Sequence, residues 1–353
     1  MDYSGKRIRI KDIAALAGVS AGTVDRVLHN RGEVSEKSRE KVEKVLQEMQ
    51  FKPNFHASAL ANKRSYRLAC LIPEYADGEY WEAVEKGIRT ASDEFRDLNI
   101  SISVLYFDQF NPLSYRDGLN RLSLTLSDGW MIAPAYEKET CEWAEEGHIH
   151  APFVFIDSQA PGLTPLSFFG PQSFVSGQMA ARLLFPEYCP PTPVVMFQSL
   201  RHGQIAGQQV VQRKRGFETY MHTHFPELPL YTLEFDPDSA PQAQKKVQRF
   251  LQHYPEIETG VIFNSRAYLI TPLLAGRPNF NLLGYDLLPR NVQALKEGSI
   301  RFLLSQRPHT QGYLAIKALV DHILFKKEIP PEHYMPIDIL QTDNINYFLD
   351  LEY

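Results

Sequence analysis

The order of apolar and polar positions divides the chain near residue 65. Before it, apolar residues recur at helical spacing. Ile13, Leu16 and Ala17 share one face of a helix predicted over Ile10–Ala17. Gly18, which tolerates positive φ, ends that helix in a turn. Ser20 is placed to cap a second helix over Ala21–Leu28, with Val24, Val27 and Leu28 turned inward. Ser35 is placed to cap a third, in which Val42, Val45, Leu46 and Met49 recur at i, i+3, i+4 and i+7. Phe51 and Pro53 end it. Two short helices across a glycine turn read as a helix-turn-helix, whose second helix can enter the major groove of DNA. A three-helix bundle of another purpose would show the same period.

After residue 65 the period changes. Short apolar runs alternate with helical stretches. The runs are Leu68–Ile72, Ile100–Phe107, Trp130–Ala133, Phe153–Ile156, Val194–Phe197, Leu230–Phe235, Gly260–Phe263, Leu282–Tyr285 and Phe302–Leu304. Helices are predicted between them, for example over Trp81–Phe95, Ser176–Leu184, Arg213–His222 and Gln242–Leu251. Near-continuous apolar strands alternating with helices imply parallel sheets covered on both faces. So many strands imply two linked α/β subdomains with a cleft between them. Ligands bind such sheets at the strands' carboxyl ends. A further strand is expected at Ile337–Leu340, and no heptad long enough for a tetramerising coil follows.

Charge sharpens the division. The chain carries 37 Lys and Arg against 42 Asp and Glu, a net of −5. Residues 1–64 hold 13 of those bases and 8 of those acids, a net of +5, which leaves −10 on the remainder. A basic head on an acidic body suggests a nucleic-acid-binding module joined to something with another task. No secretory signal or membrane-length apolar run is present, so a cytoplasmic protein is expected. Cys70, Cys141 and Cys189 are far apart and match no zinc or redox spacing. Phosphate loop, dinucleotide-binding glycines, nucleophile elbow and metal-ligand spacing are all missing from the sequence. No enzyme, metal or cofactor is therefore expected.

The head carries a more specific signal. Lys11-Asp12-Ile13-Ala14-Ala15-Leu16-Ala17-Gly18-Val19-Ser20, then Thr23 to Leu28, Val34 to Val42, Phe51 to Asn54 and Ala57 to Ala61, closely resemble the headpiece of the LacI/GalR family of bacterial repressors. The resemblance implies that Ser20, Thr23 and Arg26 meet DNA at and near the recognition helix. Arg26 would contact either a guanine edge or a phosphate. It implies phosphate contacts for Ser35 and Ser38, and a hinge helix over Asn54–Ala61 that includes Ala57. Leu60 falls where the family inserts a leucine wedge into the minor groove. Ala21 and Gly22 stand where the family often places base-reading side chains, and Gly22 weakens the helix by roughly 1 kcal/mol relative to Ala. Asp25 replaces a small serine; it can accept from cytosine or orient Arg26.

The body resembles the same family's effector domain, which is similar to periplasmic sugar-binding proteins. The landmarks are Asp128 to Pro134, Pro152 to Asp157, Arg213 to Phe217, Gly284 to Asp286 and Gln306 to Tyr313. By that resemblance Arg213 clamps the effector and Asp286 receives its hydroxyl or amine groups. Asn264 and Asp157, at strand ends, are further candidates, and Tyr80 and Trp81 could stack on its apolar face. Each has a plain alternative: a surface ion pair for Arg213, a helix cap for Asp286, core packing for Tyr80 and Trp81. The expected fold is an α/β, two-subdomain periplasmic-binding-protein-like body with an all-α headpiece. Expected boundaries are residues 1–53 for the headpiece and 54–65 for the hinge. The first subdomain takes 66–160 and 307–330, the second 161–306 and 331–353. The resemblance implies a homodimer, or a higher oligomer, that binds double-stranded operator DNA under control of a small effector, most simply a repressor of a carbohydrate-use operon. A corepressor-dependent or activating regulator sensing a nucleobase or phosphorylated metabolite, and a solute-binding transport protein, are the alternatives.

Overall fold

The computed structural model describes residues 10–28, 34–49, 64–186, 192–201, 203, 205 and 207–349. They form two units, which meet in sequence at residues 62–63. Cys189 and the hinge residues Asn54, Ala57 and Leu60 lie outside the described residues.

The first unit has three helices, α1 (Ile10–Ala17), α2 (Ala21–Leu28) and α3 (Glu36–Glu48). Ile13, Ala14, Ala17, Val24, Val27 and Val42 form its buried core. Leu16, expected to face inward, is 53% exposed; the buried face runs through Ile13, Ala14 and Ala17 instead. Gly18 adopts φ 63°, which ends α1 as its lack of a side chain permits. The Thr23 N–H donates to Ser20 Oγ at 3.1 Å, so Ser20 caps α2. Ser35 stands at the start of α3 without making the side-chain cap expected of it. Its hydroxyl donates to Ser38 Oγ at 2.9 Å instead.

The second unit holds two six-stranded sheets. In chain order its elements are β1 (Tyr66–Pro73), α4 (Tyr80–Glu94), β2 (Ile100–Phe107), α5 (Pro112–Ser123), β3 (Gly129–Ile132), α6 (Glu137–Glu145), β4 (Phe153–Ile156) and β5 (Ser167–Gly170). Then come α7 (Ser173–Leu184), β6 (Val194–Ser199), α8 (Gln208–His224), β7 (Leu230–Phe235), α9 (Ala240–His253), β8 (Thr259–Ile262), β9 (Asn281–Tyr285), α10 (Pro289–Lys296) and β10 (Phe302–Ser305). The chain closes with α11 (Pro308–Phe325), β11 (Glu332–Tyr334), β12 (Asp338–Leu340) and α12 (Ile345–Leu349). The first sheet runs β11-β5-β4-β3-β1-β2 and the second β12-β10-β9-β8-β6-β7. Pairing is parallel throughout the first sheet, and in the second β12 runs antiparallel to β10. Strands β3, β4 and β8 are buried along their whole length, as sheets covered on both faces require.

The chain crosses between the lobes three times, after β5, after β10 and after β11. The expected boundaries at 160 and 330 are therefore too early. Ser167–Gly170 and Glu332–Tyr334 both pair within the first sheet, so the first lobe extends through them. At the second crossing Arg307 takes a left-handed φ of 55°. Its guanidinium donates to both carboxylate oxygens of Asp338, at 2.7 and 2.9 Å, tying the crossing to β12.

Glycines set two close helix pairs. A Cβ on Gly87 of α4 would lie 2.0 Å from the His309 carbonyl oxygen on α11. Likewise a Cβ on Gly177 of α7 would lie 1.9 Å from the Arg213 carbonyl oxygen on α8, and one on Gly216 would lie 1.9 Å from that of Phe174. The α7–α8 contact thereby fixes the depth at which Arg213 enters the second lobe.

Candidate functional site

Two strand ends set the site. The residue after β4 is Asp157, at φ 67°, and the residue after β9 is Asp286, at φ 66°. Aspartate is one of the few residues other than glycine that visits this left-handed region, and such strain gathers at functional sites. Each keeps its place in its sheet: the Asp157 N–H donates to Phe169 O and the Asp286 N–H to Leu304 O, both at 2.9 Å. The two aspartates belong to opposite lobes, and both are buried.

Arg213 on α8 lies with them. It is 1% exposed, which excludes the surface ion pair. Its Nη1 donates to Phe263 O and its Nη2 to Gln306 Oε1, each at 2.7 Å. The guanidinium stacks over Tyr285 at 4.2 Å from the ring centroid. Gln306 Nε2 donates in turn to Asp286 Oδ2 at 3.0 Å, and Ser265 Oγ donates to the same oxygen at 2.6 Å. Asn291 Nδ2 holds the carbonyls of Ser265, Tyr285 and Asp286, fixing this strand end. Asp286 thus caps no helix; it accepts from side chains and leaves Oδ1 without a partner, as Arg213 leaves Nε.

From the first lobe, Tyr80 donates its hydroxyl to Asp157 Oδ1 at 3.0 Å. Ser158 Oγ lies 3.2 Å from both Asp157 Oδ2 and Gln209 Oε1 of the second lobe, so its one proton is shared between lobes. Gln311 Nε2 donates to Gln306 O at 2.8 Å. Tyr80 and Trp81 pack edge to face at 5.1 Å, and both are buried while also lining the interlobe cavity. Packing and site are therefore one role for this pair. Asn264 donates from Nδ2 to Ser199 Oγ at 2.6 Å and accepts the Arg266 N–H at 2.9 Å. That turn directs the chain into Arg266. Across the cleft mouth, Arg266 Nε donates to Glu79 Oε2 at 2.8 Å and Tyr268 to Glu79 Oε1 at 2.7 Å.

Electrostatics follow from burial. Desolvation pushes the Asp157 carboxyl up to about 6, opposed by Arg213 and by hydrogen bonds from Tyr80 and Ser158, with Asp286 adding to the rise. Burial also raises Asp286, and Arg213, Ser265 and Gln306 pull it back. The Tyr80 hydroxyl is raised by burial and then by both aspartates. The cleft is thus a buried set of donors and acceptors, with two carboxyls facing one guanidinium.

Of the six expected effector residues, Tyr80, Trp81, Arg213 and Asn264 line this cleft; Asp157 is joined to it through the Tyr80 hydroxyl and Asp286 lies buried behind Ser265. Gln306, Gln311, Ser265, Glu79 and Arg266 were not singled out. Gln306 and Gln311 lie within the Gln306–Tyr313 landmark, which gave a signal without a role. In the headpiece Ser20 and Arg26 are exposed, just before α2 and in its last turn, and Thr23 is half-buried between them. Ser35 and Ser38 sit together at the start of α3. Among the described residues, no group of three or more His, Cys, Asp or Glu could hold a metal ion. No described helix is long and apolar enough to cross a membrane.

Residues 9–54 match the bacterial regulatory proteins of the lacI family, and residues 69–327 match the periplasmic binding protein domain. The transcriptional regulator DegA of Bacillus subtilis is 44% identical over 85 residues, 24% of this chain and 25% of DegA. The sucrose operon repressor of Streptococcus mutans is 23% identical over 348 residues, 96% of this chain and 99% of that one. Among solved structures, a chain from Bacteroides fragilis assigned to the LacI transcriptional regulators superposes with a TM-score of 0.76 at 36% identity, covering 80% of this chain and 99% of that one. A glucose-galactose binding protein from Geobacillus stearothermophilus shares the fold, with a TM-score of 0.68 at 22% identity over 80% of this chain and 99% of its own. Headpiece, two-lobed body and cleft together place this chain in the lacI family of bacterial regulatory proteins, as a DNA-binding transcriptional regulator.

Proposed function

We propose that the chain is a cytoplasmic repressor of a carbohydrate-use operon, its operator affinity set by a neutral polyhydroxylated effector in the interlobe cleft. The observation that carries this reading is two unpartnered polar atoms in the second lobe, Nε of Arg213, which lines the cleft, and Oδ1 of Asp286, buried behind Ser265. A sugar hydroxyl is both donor and acceptor, so vicinal hydroxyls satisfy such a pair. The aspartates also argue against phosphorylated metabolites, since two carboxyls beside one guanidinium repel a dianion. The relatives named for sucrose and ribose operons support the same class. A transport role gains nothing from a lacI-type headpiece.

In this reading two chains pair, and two headpieces read a near-palindromic operator. Ser20, Thr23 and Arg26 face the major groove, Ser35 and Ser38 hold phosphates, and Asn54, Ala57 and Leu60 form the hinge in the minor groove. Residues 54–65 join headpiece to body. Asp157 and Asp286 come from different lobes, so an effector that bridges them favours one lobe arrangement over another. The test is a thermal-shift screen of neutral sugars, sugar phosphates and nucleobases. Neutral sugars should raise the midpoint; a response confined to phosphates or nucleobases would overturn the assignment.

A further inference from the structure

We propose that the effector-free body is latched shut: Glu79 of the first lobe, held by Arg266 and Tyr268 of the second, keeps the cleft closed and gates entry to it. Such a latch acts whatever the effector is, so it does not depend on the carbohydrate reading. Tyr80, Trp81, Asp157, Arg213 and Asp286 are between 0% and 8% exposed. No solute reaches such groups unless the lobes part, so whatever holds the lobes together governs binding.

Two sets of hydrogen bonds bridge the lobes, and they are unequal. Beside Asp157, Gln208 Nε2 donates to Glu137 Oε2 and Ser158 Oγ lies against Gln209 Oε1, each at 3.2 Å. These are long bonds, and each has a neutral amide as one partner. At the mouth, Glu79 accepts from Arg266 Nε at 2.8 Å on one oxygen and from the Tyr268 hydroxyl at 2.7 Å on the other. Both carboxylate oxygens are thus taken by the opposite lobe. Hydrogen bonds to an ionised partner are shorter and stronger than neutral ones. The Glu79 and Arg266 side chains are only 16% and 20% exposed, so water screens this pair less than it screens a surface pair.

Both ends of the bridge are braced within their own lobes. Gly78, at φ 78°, donates its N–H to Glu82 Oε2 at 2.6 Å, and the Tyr75 hydroxyl donates to Glu85 Oε2 at 2.7 Å, which fixes the turn before α4. Glu79 stands at the start of α4, yet its side chain does not cap the helix. In the second lobe Asn264 holds the Arg266 N–H, and the Tyr268 N–H donates to Asn291 Oδ1 at 2.8 Å. The Arg290 guanidinium lies 5.1 Å from the Tyr268 ring centroid. A bridge between two braced turns loses little side-chain freedom on forming, unlike a pair of loose surface chains. The closed arrangement is therefore populated before any effector binds, with Glu79, Arg266 and Tyr268 as positioning residues.

The chain's three tryptophans report opening without any ligand. Trp81 lines the interlobe cavity, whereas Trp130 and Trp143 are fully buried in the first lobe's core. Acrylamide quenching of the full chain therefore reads the cleft through Trp81, with Trp81→Phe as the blank. Glu79→Ala and Arg266→Ala should each raise the Stern–Volmer constant about twofold or more, and neither should raise it in the Trp81→Phe background. The double variant should exceed neither single one, because the same bridge is lost in all three. Unchanged quenching in both single variants overturns the latch. Additive increases in the double variant overturn it too, since the two residues would then act separately. A rise that persists without Trp81 means that the first lobe's core has loosened, and it also counts against the latch. If Glu79→Ala does not fold, Tyr268→Phe decides: it removes one hydroxyl and should raise quenching in the same direction, and no rise overturns the proposal. A sugar screen without hits would leave this result untouched.

Discussion

At the residue scale, Asp286 and Asp157 are two carboxyls with different tasks. Asp286 spends Oδ2 on Ser265 and Gln306 and keeps Oδ1 free. Asp286→Asn keeps the size and tolerates the positive φ, but it replaces an acceptor with a donor. Effector affinity should fall by about 1.5–3 kcal/mol, tenfold or more, in calorimetry, with operator affinity unchanged in effector-free protein. Asp157 adds a pH dependence. Its carboxyl rises from an ordinary 3.8 to about 6. The folded state then holds the proton more tightly than the unfolded state. The stability this contributes is full below about pH 4 and is lost as pH rises through about 6. Thermal midpoints measured across that window should show the loss, and Asp157→Asn should flatten it. An effector hydroxyl donates to the ionised carboxylate, so effector affinity should rise over the same window. The aspartates, Arg213 and Asn264 were legible because each follows a strand or heads a landmark. Glu79 and Arg266 were not, because they pair with each other across 187 residues that only the fold brings together.

At the scale of elements, the helix pairs carry the site. Gly177 and Gly216 let α7 and α8 approach until a Cβ would strike backbone carbonyls, one of them that of Arg213. Neither clash can be relieved by a flexible side chain. Gly177→Ala should therefore push α8 outward, destabilise the body by about 1–3 kcal/mol in denaturant unfolding, and weaken effector binding by displacing Arg213. Unchanged stability would show that the pair relaxes freely. Apolar runs predicted most strands, because strands covered on both faces must be apolar throughout. The two they missed explain themselves. β5, Ser-Phe-Phe-Gly, holds only two apolar residues in a row, and β11, Glu-His-Tyr, is an exposed edge strand without an apolar face. Those same two strands shifted the lobe boundaries. Leu16 shows the complementary error, since a helical face read from spacing alone does not reveal which neighbour a small helix meets.

At the scale of the molecule, a head of net +5 and a body of net −10 divide the labour. The acidic body adds nothing favourable at the phosphates, so DNA affinity comes from the head and should fall steeply with salt. Arg26→Ala should weaken binding to a selected operator by about 1–3 kcal/mol and relax preference at one base pair if the contact is to guanine. Equal loss on operator and random DNA would assign Arg26 to phosphate. The central claim is that the interlobe cleft controls the heads. The most direct measurement is fluorescence anisotropy of an operator selected in vitro, titrated with the unmodified chain and with Asp286→Asn, each with and without a saturating neutral sugar identified by the thermal-shift screen. The account predicts that the sugar shifts operator affinity tenfold or more for the unmodified chain, and that Asp286→Asn matches its sugar-free affinity while ignoring the sugar. A sugar response of equal size in both chains would contradict it.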